Sequence, residues 1–184
     1  MKQFLNFGFL LLLILSANAG PGSVDKSFRP NPTGLTRFQV EQVEEQSDEK
    51  ILVYQYNGAT KDGTIVRLNP NGSEDTTFTP TTLLGDLSNH FEMKVRPNGK
   101  IVLAGRFTSC NGVLRNHLAQ LNTDGSLDTN FVPGLGNNAG STIGIALQTD
   151  GKIIVVGTFK EYHGIPAGGV ARINTDGSMD NTFS

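Results

Sequence analysis

An all-β chain built from stacked repeats is what the sequence predicts, and three observations carry that expectation. First, the seven-residue phrase Gly-Ser-x-Asp-x-x-Phe occurs four times, at residues 22–28, 72–78, 125–131 and 177–183. Its phenylalanines fall at intervals of 50, 53 and 52 residues, a period that marks stacked or radially repeated units. Second, beyond the N-terminal apolar stretch no segment of helical length shows helical spacing, and short apolar runs are punctuated by Asn-Gly and Asp-Gly. Third, residues 101–104 and 153–156 are each apolar at four consecutive positions, so both faces of those strands are expected to be buried. Sheets covered on both sides and repeating at about 50 residues are what adjacent β-propeller blades provide. About three blades of an open or partial propeller are therefore expected. A sandwich also stacks sheets, but nothing in it requires the sequence to repeat at fixed intervals.

The chain begins with an expected signal peptide, residues 1–19. Met1-Lys2 gives a positive start, residues 7–15 are apolar but too short to span a bilayer, and Ala17-Asn18-Ala19 has the small-x-small form of a cleavage site. The repeat region follows at 20–184, in units of approximately 29–78, 79–131 and 132–183. Export to the cell exterior or surface is the localisation this predicts, with no membrane span after removal of the signal.

Two of the units are copies of one another. Residues 92–131 lie over 144–183 without a gap, 14 of 40 positions are identical, and Gly105/Gly157 and Phe107/Phe159 are among them. The first copy is looser, with a shorter middle loop and Gln55 where the others have glycine, as terminal repeats commonly are. In the second copy strands are expected at about 91–95, 100–107 and 118–122, and in the third at about 142–147, 152–159 and 169–174. Asn98-Gly99 and Asp150-Gly151 predict type I′ turns, in which both central residues take positive φ. Gly105 and Gly157 mark places where another backbone can approach closely.

The phrase itself has a structural account. Asp124-Gly125, Asp176-Gly177 and Asn71-Gly72 make a turn that neighbouring Ser and Asp side chains close by accepting backbone hydrogen bonds. Phe78, Phe131 and Phe183 are expected to plug the space between neighbouring sheets.

Composition excludes more than it selects. Removing residues 1–19 takes away Lys2 alone among the charges, leaving 14 basic against 17 acidic residues, which gives no electrostatic footprint for nucleic acid. The acidic cluster Glu41, Glu44, Glu45, Asp48 and Glu49 reads as a solvated strand edge and turn. Cys110 is the sole cysteine, so no intramolecular disulfide forms.

The run Arg172-Ile173-Asn174-Thr175-Asp176-Gly177-Ser178-Met179-Asp180-Asn181-Thr182-Phe183, preceded by Ala146-Leu147-Gln148-Thr149-Asp150-Gly151-Lys152-Ile153, closely resembles the delta-60 repeat. The resemblance is specific in the second and third copies, partial in the first, and spans essentially all of 20–184. It implies a bacterial secreted or cell-surface protein of β-propeller-like fold, and it brings no catalytic residues with it. A closed propeller needs four or more blades, so the chain is expected to be a piece of a longer polypeptide. The other reading is an open arc that associates through its edges.

Chemistry has few candidates. Asn122, Asp124, Ser126 and Asp128 place oxygens at alternate positions, as do residues 174–180, but they lack the glycine and glutamate of a calcium loop. Turn closure is the favoured reading over calcium. His90, His117 and His163 have no zinc spacing, and the last two occupy non-equivalent places in the repeat. No catalytic, cofactor or metal residue is nominated. The loops 108–116 and 160–168, with Arg115-Asn116 and Tyr162-His163, are the candidate binding segments because they differ between copies. The expected function is an interaction or adhesion module for protein or glycan. A sialidase-like carbohydrate-active enzyme and a structural spacer are the alternatives.

Overall fold

The computed structural model describes residues 27–28, 39–88, 90–133, 140–162 and 164–183, and these are all-β. The expected signal peptide, most of the first copy of the phrase, and His163 lie outside the described residues. In chain order the strands are β1 (Gln39–Glu45), β2 (Ile51–Asn57), β3 (Asp62–Leu68), β4 (Thr81–Gly85), β5 (Phe91–Val95), β6 (Ile101–Gly105) and β7 (Phe107–Cys110). There follow β8 (Val113–Leu114), β9 (Leu118–Leu121), β10 (Thr142–Leu147), β11 (Ile153–Gly157), β12 (Glu161–Tyr162), β13 (Ile165–Pro166) and β14 (Val170–Ile173).

Three antiparallel meanders recur with one register. Glu45 pairs Ile51 and Ile51 pairs Leu68 in β1-β2-β3. Val95, Ile101 and Leu121 line up in the same way in β5-β6-β9, and Leu147, Ile153 and Ile173 in β10-β11-β14. After each third strand the phrase folds back and contributes a single bridge, Leu68 to Glu74, Leu121 to Leu127 and Ile173 to Met179. The first sheet is wider than the others, in the order β1-β2-β3-β4-β7-β8, because β4 joins β3 to the hairpin of the next unit.

The sheets stack. Leu52, Tyr54, Tyr56 and Ile65 of the first pack on Met93, Ile101, Leu103 and Leu121 of the second, with Phe78 between. Val102, Ala104 and Leu118, on the opposite face of the second, pack on Ile145, Ile153, Val155 and Ala171 of the third, with Phe131 between. Phe28 covers the remaining face of the first sheet at Ile51, Val53, Val66 and Leu68. The architecture is a partial propeller without barrel closure. Side chains also tie the strands that begin each meander. The Gln42 amide exchanges hydrogen bonds with the Met93 backbone, and Glu92 accepts one from the Ile145 N–H.

Four expectations need correction. In the third unit Val156 is 39% exposed and Ile154 half-buried, so 153–156 alternates, unlike the wholly buried 101–104. No described sheet lies on that side. Phe183 is 36% exposed for the same reason and plugs nothing, whereas Phe131 is 1% exposed. The hairpin turns are not type I′: Gly99 and Gly151 have positive φ but Asn98 and Asp150 do not. Gly99 N–H bonds to the Arg96 carbonyl and Arg96 N–H to that of Lys100, a type I turn closed by a left-handed residue. Fourth, Tyr162 is fully buried against Phe159, at 5.6 Å between ring centroids, and belongs to the core rather than to a binding loop.

Gly157 shows the expected close approach, since a Cβ there would fall 2.0 Å from the Ser141 carbonyl oxygen. The acidic cluster lies on β1, an edge strand, and its following turn. Cys110 is buried in β7, where loss of solvent pushes its thiol up to about 12.

Candidate functional site: a polar cleft between the second and third units

Among the described residues, the second, third and fourth copies of the phrase each hold their aspartate in a buried ion-pair knot. The Asp75 carboxylate takes Lys50 Nζ at 2.9 Å and Arg67 Nε at 2.7 Å on Oδ2, and the Thr77 N–H and hydroxyl on Oδ1. Burial by itself raises this carboxyl, but the Thr77, Lys50 and Arg67 hydrogen bonds hold it well below the usual range. Asp180 repeats the arrangement with Lys152, Arg172 and Thr182. The guanidinium carbons of Arg67 and Arg172 each lie 4.7 Å from the centroid of the phenylalanine ring closing their phrase.

The second unit departs from this pattern. Gln120 stands at the position of Arg67 and Arg172, and Arg96 at the position of Gln46 and Gln148, so the unit has exchanged its arginine and glutamine. In the first unit Arg67 Nη1 reaches across to the Thr123 carbonyl, 2.6 Å away in the next unit's turn, and closes the seam. Gln120 is shorter. Its Nε2 donates to Asp128 at 2.8 Å, its Oε1 has no partner among the described residues, and the seam stays open.

The opening is a cleft of about 430 Å³ lined by Arg96, Lys100, Gln120, Asp128, Phe131 and Asp176, among others. Arg96 is only 7% exposed; Nη1 donates to the Gly151 carbonyl at 2.5 Å, while Nε and Nη2 have no partner among the described residues. Burial pulls the pKa of Arg96 below its ordinary value and the Asp128 charge opposes that. Asp128 is already committed to Lys100 Nζ at 2.6 Å, Gln120 and the Asn130 N–H. Arg96 Nε and Nη2, Gln120 Oε1 and the Phe131 ring are closed off from solvent, so what the cleft presents is its exposed polar rim at Asn98, Asn130 and Asp176.

The alternate oxygens of the phrase are turned inward. Asp124 Oδ1 accepts from the Ser126 N–H and hydroxyl, and Asn122 Nδ2 donates to the Ser126 hydroxyl oxygen. Among the described residues no group of three His, Cys, Asp or Glu side chains is placed to share a metal ion. His117 Nδ1 meets the Gly105 carbonyl at 3.0 Å, and burial lowers its pKa; His90 is exposed. Arg115 and Asn116 are half-buried beside β8 and are not among the residues lining the cleft. No sequence motif pointed to Arg96 or Gln120. The signal was nevertheless present, because the ungapped overlay sets Arg96 against Gln148 and Gln120 against Arg172.

Fold and cleft together define a propeller-type repeat module whose scaffold is stacked three-stranded meanders. The family described as "Domain of unknown function (DUF5122) beta-propeller" matches residues 46–78, 96–131 and 148–183, and the chain belongs to that family. No curated protein and no solved structure matches the chain. Among the described residues no helix is long and apolar enough to cross a membrane.

Proposed function

We propose that the chain, exported by residues 1–19, serves outside the cell as an interaction module of the delta-60 repeat type, with units 29–78, 79–131 and 132–183 as scaffold. Its partners are protein or glycan. One observation carries the reading: among the described residues the seam between the second and third units stands open as a cleft with a polar rim, where that between the first and second is closed by Arg67. The unsealed seam is a concave polar surface that a ligand can enter.

The test is capture. The purified chain on a glycan array, and immobilised against extracellular protein extracts, is expected to retain a saturable partner over the bare matrix. An empty array together with an empty extract would remove the reading. The scaffold role assigns no chemical step to the chain, and turnover of a glycoside substrate by the purified protein would replace it with the hydrolase alternative.

A further inference from the structure

We infer that the face of the first sheet beneath Phe28 is a docking surface for the third unit of a second copy of this chain, held shut by Phe28. Strand register shows the surface three times over. Ile51, Val53, Val66 and Leu68 make a four-residue apolar seat on the first sheet, and register repeats it as Ile101, Leu103, Ala119 and Leu121 on the second. On the third sheet it is Ile153, Val155, Ala171 and Ile173. Each seat takes the phenylalanine that closes one phrase, Phe28, Phe78 and Phe131 in turn. Phe183 closes the fourth phrase and has no seat among the described residues.

The seats are not filled alike. Phe78 and Phe131 each lie between the sheet of their own unit and that of the next, whereas no described strand precedes Phe28 to form a sheet over it. Phe28 covers its seat without extending the stack. The third unit presents what the other seams contain. Its exposed Val156 and Val170 stand where Ala104 and Leu118 meet the third sheet and where Tyr54 and Ile65 meet the second. Phe183 is already posed as a plug, with the Arg172 guanidinium 4.7 Å from its ring centroid, as that of Arg67 is from Phe78. Arg67 spends Nη1 on the Thr123 carbonyl of the next unit, while Nη1 of Arg172 makes no hydrogen bond among the described residues. In the first unit the exposed Pro70 stands at the place of Thr123, so its carbonyl is the acceptor that docking would bring to Arg172. A second copy with Phe28 withdrawn supplies the missing seat and the missing acceptor together.

Such a contact is head to tail, because it joins two different faces, and it continues the stack where a meeting of two third units ends it. Three chains isolate it. The natural chain has a live third-unit face and a shut seat. Val170→Lys has a blocked face and a shut seat, and Phe28→Ala combined with Val170→Lys has a blocked face and an open seat. Fluorescently labelled natural chain would be titrated with each variant and followed by sedimentation velocity. The lysine removes the meeting of two third-unit faces from both mixtures, so only the seat differs between them. The open-seat variant is expected to bind the labelled chain at least about tenfold more tightly than Val170→Lys does. That gain is expected to disappear when the labelled chain carries Phe183→Asp, which spoils the arriving plug at a side chain already part exposed.

Thermal melts show whether the alanine variant is folded at the working temperature. If it is not, Phe28→Leu in the same Val170→Lys background keeps an apolar side chain on the seat while vacating part of it, and is expected to give the same order of binding. Equal binding by the open-seat and shut-seat variants would overturn the inference. So would a gain that survives Phe183→Asp, since the bare seat would then be adhesive to any surface rather than fitted to this phenylalanine. The contact goes beyond the interaction-module reading, and capture of a protein or glycan partner neither supports nor removes it.

Discussion

Glu49 occupies the left-handed position that glycine fills at Gly99 and Gly151, with φ of 62° against 78° and 84°. Its turn is the same one, closed by Glu49 N–H to Gln46 carbonyl at 2.9 Å, so the residue carries strain its counterparts avoid. A left-handed conformation costs a side-chain-bearing residue about 1–2 kcal/mol, and glycine returns roughly half of that through unfolded-chain entropy. Glu49→Gly is expected to stabilise the fold by about 0.5–1 kcal/mol in urea unfolding. A loss of stability would show that the acidic side chain contributes something its exposed position does not suggest. The knot at Asp75 gives a second residue-scale expectation. The folded-state pKa lies below the unfolded value of about 4, so its contribution is full above that value and drains away as pH falls through it towards the folded pKa. The stability gap between the natural chain and Asp75→Asn is therefore expected to narrow from about pH 6 to about pH 3, and a constant gap would contradict the knot. The partners of that aspartate were not legible in the sequence. Lys50 immediately precedes β2 and Arg67 lies on β3, and only the pairing of those two strands brings both to one carboxylate.

The phrase acts as an element that locks each unit to the next. Thr79 N–H donates to the Asp124 carbonyl at 2.7 Å, and Val132 N–H to that of Asp176 at 2.8 Å, so the residue after each phenylalanine is pinned to the following turn. Gly125 must be glycine here, since its φ is 85° and a Cβ would lie 2.2 Å from the Thr79 carbonyl oxygen. The plugs can be ranked by what covers them. Phe131→Ala is expected to cost about 3–5 kcal/mol, far more than Thr129→Ala on the exposed side of the same phrase. Phe183→Ala is expected to fall clearly below Phe131→Ala, because part of that ring already meets solvent. Thermal melts of the three variants read the order directly, and equal midpoints for Phe131→Ala and Thr129→Ala would sink the plug. At this scale the sequence was most readable: β5 and β10 fall on the expected residues, because apolar runs bounded by turn residues carry their own limits. Turn type was not, since Asn-Gly suits both a two-residue type I′ loop and a longer type I loop ending in left-handed glycine. One residue of loop length separates them, and strand pairing decides it.

For the molecule as a whole, what the sequence could not show is which face of a unit has a neighbour. Residues 101–104 and 153–156 look alike in the chain, yet Ala104 and Leu118 are covered by the third sheet while their counterparts Val156 and Val170 are 39% and 43% exposed. Periodicity reports that a strand wants both faces buried; it cannot report whether anything arrives to bury the second. The exposed face is continuous with an apolar hollow of about 380 Å³ at Pro166, Ala167, Val170, Met179 and Phe183. Removing such surface from water is favourable by about 25 cal/mol per Å², and two copies meeting face to face about a two-fold axis bury the same patch twice. The purified chain is accordingly expected to self-associate as concentration rises, with the weight-average mass in sedimentation equilibrium climbing towards that of a dimer. Val170→Lys places a charge at the centre of the patch without touching the buried seam at Phe131, so it is expected to hold the chain monomeric while leaving its melting midpoint nearly unchanged. A natural chain that stays monomeric at every concentration, or a lysine variant that associates equally well, would mean that the exposed valines and Phe183 tolerate water without seeking a second copy.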